Sequence, residues 1–207
     1  MQQFREIKLL VFREDKLPLA LLALLPILYL SGALFSNDRF LGSPFTDKIN
    51  PIYIKGILEL SIPLWNPYVF GGMPFMATLH PAILYPFNVI FSVLPLTYAI
   101  NWNITFHLFL SGSFTYYLLK YHGIGRFGAT IGGIIYTFSA PQIMHIYAGH
   151  KIAMAAMPWT PLMILFLERF MKEGEGKYGI FLSFTVATQL LAGYPQYLFY
   201  SLIMVSF

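Results

Sequence analysis

The sequence predicts an all-α fold: a polytopic transmembrane helix bundle with a long extracytoplasmic first loop that carries an interfacial helix. Three observations lead there. Of 207 residues, 57% are hydrophobic and 11% charged, against roughly 25% charged in a soluble domain. Aromatic residues make up 18% and the mean hydropathy is +0.63, which leaves too little polar surface to wrap a core in water. The basic residues stand in short tracts between apolar runs, as they do in the loops of membrane proteins. That placement gives the net charge of +4 a membrane explanation and argues against nucleic acid as a partner. The absence of cysteine excludes disulfides, thiolate metal sites and a Cys nucleophile.

Each element follows in order. Arg5, Lys8, Arg13 and Lys16 precede an apolar run from Leu17 to Phe35. At 1.5 Å per residue it reaches about 28 Å, longer than a signal-peptide core, and it reads as an uncleaved first transmembrane helix, 17–35. Residues 36–98 form the loop, rich in proline and charge up to about Thr78. Within it Pro51–Leu60 has apolar residues at 52, 54, 57, 58 and 60, one face of a helix lying in the interface. Leu79–Leu96 is apolar but holds Pro81, Pro86 and Pro95. Further runs cover Ala99–Lys120, Phe127–Tyr147, Ile152–Met171 and Tyr178–Ala192, and a last one from Gln196 stops at Phe207, which makes 99–207 further transmembrane helices. The final run is short of the roughly 20 residues that a span needs, so 1–207 reads as a single transmembrane domain, the N-terminal part of a longer protein.

Counting Lys and Arg sets the topology. If Leu79–Leu96 does not cross, nine lie inside, at 5, 8, 13, 16, 120, 126, 169, 172 and 177, and four outside, at 39, 48, 55 and 151; if it crosses, five lie inside and eight outside. The positive-inside rule prefers the first arrangement. The protein is then expected in the cytoplasmic membrane with its N-terminus cytoplasmic and 79–96 interfacial or re-entrant. The long loop and the turns at 148–151 and 192–196 all emerge on the extracytoplasmic face.

Polar chemistry therefore converges there. Asp47 and Asp38 are the candidate catalytic carboxylates, since partial burial and neighbouring cations tune a carboxylate as general base or metal ligand; either is equally a solvated loop charge, and Asp38 has Arg39 beside it. Trp65, Asn66 and Tyr68 sit in a proline- and glycine-fixed path whose rings either anchor the loop at the interface or stack on a sugar or lipid chain. His150 and Lys151 are candidate substrate-binding groups: Lys151 receives a phosphate as a point charge, or both face headgroups. His145 stands five residues before His150, a spacing that does not put both on one helix face. Tyr194 and Gln196 complete the third turn. Gly123–Gly128 fits G-x-G-x-x-G, but no strand precedes it, so it reads as a cytoplasmic turn. Gly128, Gly132 and Gly133 read as a helix-packing groove.

PLWNPYVFGGMP at 63–74 resembles the first-loop signature of YfhO-like bacterial and archaeal membrane proteins, which are similar to the GT-C class of glycosyltransferases. Asp47 ahead of an amphipathic helix, Ala148-Gly149-His150, and Gly193-Tyr194-Pro195-Gln196, where the family often has Gly-His-Pro-Gln, agree with it. The resemblance implies an enzyme that passes a sugar from a polyprenyl-phosphate donor to an extracytoplasmic acceptor. Asp47, or Asp38 second, would act as base or metal ligand, possible metals being Mg or Mn, and Arg39 and Lys151 would hold the lipid phosphate. The 148–151 turn lacks the carboxylate that many GT-C relatives place in that loop. A lipid or polysaccharide transporter and a non-catalytic membrane assembly protein are the alternatives. Membrane lipid is the expected environment.

Overall fold

The computed structural model describes residues 15–36, 38–39, 41, 64–66 and 71–206. The Pro51–Leu60 helix, Asp47 and Tyr68 lie outside the described residues, as does the side chain of Asn66. Among the described residues the protein is all-α apart from one two-stranded hairpin. The helices are α1 (Lys16–Tyr29), the single turn α2 (Ser31–Leu34), the single turn α3 (Ile90–Val93), α4 (Leu96–Tyr121), α5 (Arg126–Thr137), α6 (Ala140–Ala148), α7 (Lys151–Ala156), α8 (Trp159–Glu173), α9 (Gly176–Leu191) and α10 (Pro195–Ser206). Strands β1 (Trp65–Asn66) and β2 (Met73–Pro74) pair antiparallel, Trp65 opposite Pro74 and Asn66 opposite Met73.

Proline and glycine set the boundaries. Pro95 precedes α4, and Pro141 sits in the first turn of α6, where its missing N–H breaks the apolar run 127–147 into α5 and α6. Pro158 and Pro161 break the next run in the same way. Pro161 has no N–H to offer the Met157 carbonyl, which accepts the Thr160 N–H at 3.4 Å and the Tyr136 hydroxyl at 3.1 Å. The neighbouring Ala156 carbonyl accepts Gln189 Nε2 at 3.1 Å. Side chains from other helices thus occupy carbonyls that the break leaves to be satisfied. Leu79–Leu96 does not form one long helix; it folds as the 3₁₀ segment Pro86–Val89, α3 and the turns around them.

Helix α4 is the centre, packed by α1, α5, α7 and α8, while α9 and α10 pack on α8. At the crossing of α4 and α5, a Cβ on Gly133 would lie 2.8 Å from the Gly112 carbonyl oxygen, and Leu22 of α1 fills the remaining space. Gly132 lies against Leu119 in the same crossing, but Gly128 faces only Ile124 of its own turn, so the packing groove runs through 132 and 133 and meets Gly112.

The two ends of the bundle are fixed by long-range contacts. At one end Tyr116 donates to Asp15, and His122 reaches Glu168 at 3.2 Å. At the other, Asn101 binds the chain leaving α2, and the 79–82 turn lies under Gly193, where a Cβ would meet the Leu79 carbonyl oxygen at 2.7 Å. Lys151 of the 148–151 turn lies over the Phe91 ring, so positions 33–36, 38–39 and 41, the 79–95 segment, the 148–151 turn and the 192–197 turn share one end.

Among the described residues, by length and composition, one stretch, Lys151–Glu173, which is α7 and α8 taken together across Pro158, is long and apolar enough to cross a membrane, and Lys16–Tyr29 is a shorter apolar helix. Among the described residues the core is mainly apolar, yet it also holds many polar side chains, and large apolar side chains are displayed at the surface. Asn101, His107, Ser111, Gln142, Thr185 and Gln189 are wholly excluded from the surface, whereas Leu17, Leu28, Phe127, Ile135, Ile180, Phe184 and Phe199 are each more than half exposed.

Candidate functional site

The shared end is built around two hydrogen-bonded networks. The deeper one starts from His107, in the middle of α4. Its Nδ1 lies 2.6 Å from the Asn103 carbonyl oxygen. A carbonyl only accepts, so Nδ1 carries the proton and Nε2 is the acceptor. The Tyr85 hydroxyl, 2.7 Å away, donates to that Nε2, and Trp159 Nε1–H donates to the Tyr85 oxygen at 3.1 Å. Burial pushes the Tyr85 phenol above its ordinary range, which keeps it a neutral donor. Asn103 Nδ2 also reaches the Phe87 carbonyl at 3.4 Å, and Asn88 Nδ2 donates to the Ala82 carbonyl at 2.8 Å. The chain Trp159→Tyr85→His107→Asn103 thus ties the 79–95 segment to α4 and α8 with every member partnered.

The second network is nearer the surface. Helix α6 ends in a left-handed Gly149, φ 73°, with His150 N donating to the His145 carbonyl at 3.0 Å and Gly149 N to the Ile146 carbonyl at 3.0 Å. This is the paired-bond helix stop in which the residue after the glycine folds back on the residue five before it. The fold-back brings His145 Nδ1 to 3.0 Å from His150 Nδ1. His145 Nε2 is 2.7 Å from the Tyr197 hydroxyl, and the Tyr197 ring lies 5.3 Å from that of Tyr194. A spacing of five is off-face on a continuous helix, but the αL glycine makes it a contact.

The structure places the remaining candidates as follows. Lys151 is partly buried, with Nζ 4.4 Å from the centre of the Phe91 ring, a cation–π contact. Asp38 and Arg39 are exposed, and the recorded contacts of both are through the backbone: Asp38 N–H to Ser36 Oγ at 3.3 Å and the Arg39 carbonyl to Asn101 Nδ2 at 2.8 Å. Trp65 is 58% exposed and lies over Gly72, where an added Cβ would meet the indole at 2.7 Å, so the glycines let the hairpin close beneath a displayed ring. Gln196 is exposed and donates to Tyr200. The turns at 148–151 and 192–197 are thus brought together through His145 and Tyr197.

His107, Tyr85, Trp159 and Asn101 are functional candidates without a signal in the sequence. Their partners stand 22 to 74 positions away, and each looks like one polar residue in an apolar run. His145 did have a signal, the glycine that ends α6.

The described donors do not fit Mg or Mn. These ions take carboxylate and carbonyl oxygens, whereas the groups that gather are imidazoles, phenols and an ammonium, and among the described residues no three of His, Cys, Asp or Glu converge.

No protein-family profile, curated protein or solved structure matches this chain.

Proposed function

We propose that the chain is a polytopic membrane bundle that binds a polyprenyl-phosphate-linked sugar at its extracytoplasmic end and transfers the sugar to an acceptor, as a glycosyltransferase of the GT-C type. The observation that carries this reading is the pairing of buried polar side chains with large apolar side chains exposed on the helices. Buried amides, hydroxyls and an imidazole behind an apolar exterior suit a lipid surround, where interhelical hydrogen bonds hold the helices. Asn101, Asn103, His107, Ser111 and Ser113 lower the hydropathy of α4, and all five are buried. In such a bundle α1–α2, α4, α5–α6, α7–α8 and α9 each cross, and the N-terminus and the turns at 122–125 and 174–175 are cytoplasmic. The convergence of the other turns at one end supports a single extracytoplasmic site.

In the transfer itself, Asp47 accepts the proton of the acceptor hydroxyl as that oxygen forms its bond to the sugar's anomeric carbon. The bond from that carbon to the lipid phosphate oxygen breaks, with inversion, and the electron pair leaves with the phosphate. His150 and Lys151 receive the phosphate, and Trp65 and Tyr194 present rings to the sugar or its lipid. Transport is the second reading, and His107 favours it, because an ionisable group halfway along a spanning helix marks many substrate paths. Both of its ring nitrogens are taken up inside the fold, by the Asn103 carbonyl and the Tyr85 hydroxyl, which supports an anchoring role instead.

The test is binding of a polyprenyl-phosphate sugar to the protein in nanodiscs. Saturable binding, weakened by Asp47→Asn and His150→Ala, is expected. Binding by a folded sample no greater than to empty nanodiscs overturns the donor site, and uptake of sugar into sealed vesicles without transfer would favour transport.

A further inference from the structure

We propose that His145 and His150 form a two-imidazole site for a borderline divalent transition metal, with Zn²⁺ as the reference ion, at the stop of α6. The site stands on the geometry of one helix stop, although it shares His150 with the proposed phosphate site. Two nitrogens on a tetrahedral zinc, each at about 2.0–2.1 Å, are about 3.3 Å apart. The Nδ1 atoms are already 3.0 Å apart, so a small opening of the rings admits the ion. Backbone bonds bring the two residues together: the His150 N–H on the His145 carbonyl and the αL Gly149 hold the two Cα atoms on one turn.

Tyr197 supplies the outer support that histidine ligands require. With His145 Nε2–H donating to the Tyr197 oxygen at 2.7 Å, the Nδ1 lone pair of His145 points to the ion. His150 then carries its proton on Nε2 rather than Nδ1. Both rings stay neutral, and binding releases no proton. Imidazole nitrogen selects zinc, nickel or copper over magnesium and manganese. The neighbouring Lys151 ammonium is engaged by the face of Phe91. Water or an anionic ligand fills the remaining positions.

The experiment is calorimetric titration of Zn²⁺ into the detergent-solubilised full chain carrying no polyhistidine tag, in millimolar Mg²⁺. One equivalent is expected, weakened more than about tenfold in His145→Ala and in His150→Ala, and roughly tenfold in Tyr197→Phe. His122→Ala at the opposite end serves as control and leaves the affinity unchanged. Because His145→Ala disturbs a helix stop, His150→Asn is measured beside it; it keeps a polar side chain there and also loses binding. Helical circular dichroism confirms that each variant is folded. Zinc binding that survives both histidine substitutions, that is lost in His122→Ala, or that wild type lacks, overturns the site. Zinc binding is read without any lipid-linked sugar, and His145→Ala and Tyr197→Phe lie outside the proposed donor site, so failure of the metal site and failure of the donor site are read separately.

Discussion

The two ends of the bundle are held by different chemistry. At the end carrying the 122–125 and 174–175 turns, Glu168 binds His122 and Lys172, both at 3.2 Å. Arg169 lies 5.2 Å from the centres of the Tyr121 and Tyr178 rings. Lys177 pairs with the Glu175 carboxylate, which raises its affinity for its proton. Glu168 and Arg169 are half-buried and His122, Lys172 and Lys177 exposed, so these pairs are of the kind that contribute little and respond to salt. The opposite end uses neutral groups, imidazole, phenol, indole and amide, and hides the Tyr85 and Asn101 networks from solvent. Among the described residues its charged side chains, Lys151 against the Phe91 ring and the exposed Asp38 and Arg39, stand outside those buried networks.

Tyr85→Phe should give the largest effect. It leaves His107 Nε2 and Trp159 Nε1 without their partner, a loss of about 3 kcal/mol at 1–3 per buried group, read by thermal unfolding in detergent. A loss no larger than that of a surface substitution would erase the contrast between the ends. Tyr116→Phe is a sharper probe, because it removes the hydroxyl donated to a buried carboxylate, Asp15, at the charged end. About 2 kcal/mol is expected. A smaller change would mean that the charged end holds no costly buried contact.

Asn101→Ala comes next, at about 1–2 kcal/mol, because Asn101 accepts from Leu41 N at 2.9 Å and donates to the Ala33 carbonyl at 2.9 Å and the Arg39 carbonyl at 2.8 Å. Hydrogen exchange at the Leu41 amide should quicken in that variant while exchange around Tyr116 does not. The smallest effect belongs to Glu168→Gln, about 0.5 kcal/mol or less and absent at high salt. A large, salt-insensitive loss there would place an essential charge network at the wrong end.

Glycine and proline account for most of what could be read from the chain. Pro141 and Pro195 stand in the first turns of α6 and α10 and Gly149 stops α6, although Pro26 lies inside α1, and the turn residues His150, Lys151, Tyr194 and Gln196 stand out beside them. The all-α class follows from the long apolar runs, although these runs do not reveal that 127–147 and 152–171 are each broken in two. The His145–His150 contact was legible in principle, since the αL stop is local, but a continuous-helix reading of the same spacing separates the two rings. Asn101 and Gly112 were not legible, because their roles exist only against Arg39 and Leu41, or against Gly133.

The sequence by itself determined the helical class, the order of the segments and which turns carry polar groups, because apolar periodicity and backbone-restricting residues act within a few positions. Tertiary structure alone decided that Tyr85 reaches His107 and Trp159, that Asn101 gathers the chain leaving α2, and that Tyr197 supports His145. Those bonds join residues 22 to 74 positions apart. A polar group buried in an apolar setting takes whichever partner the packed helices bring within 3 Å, and no local pattern in the chain encodes which one that is.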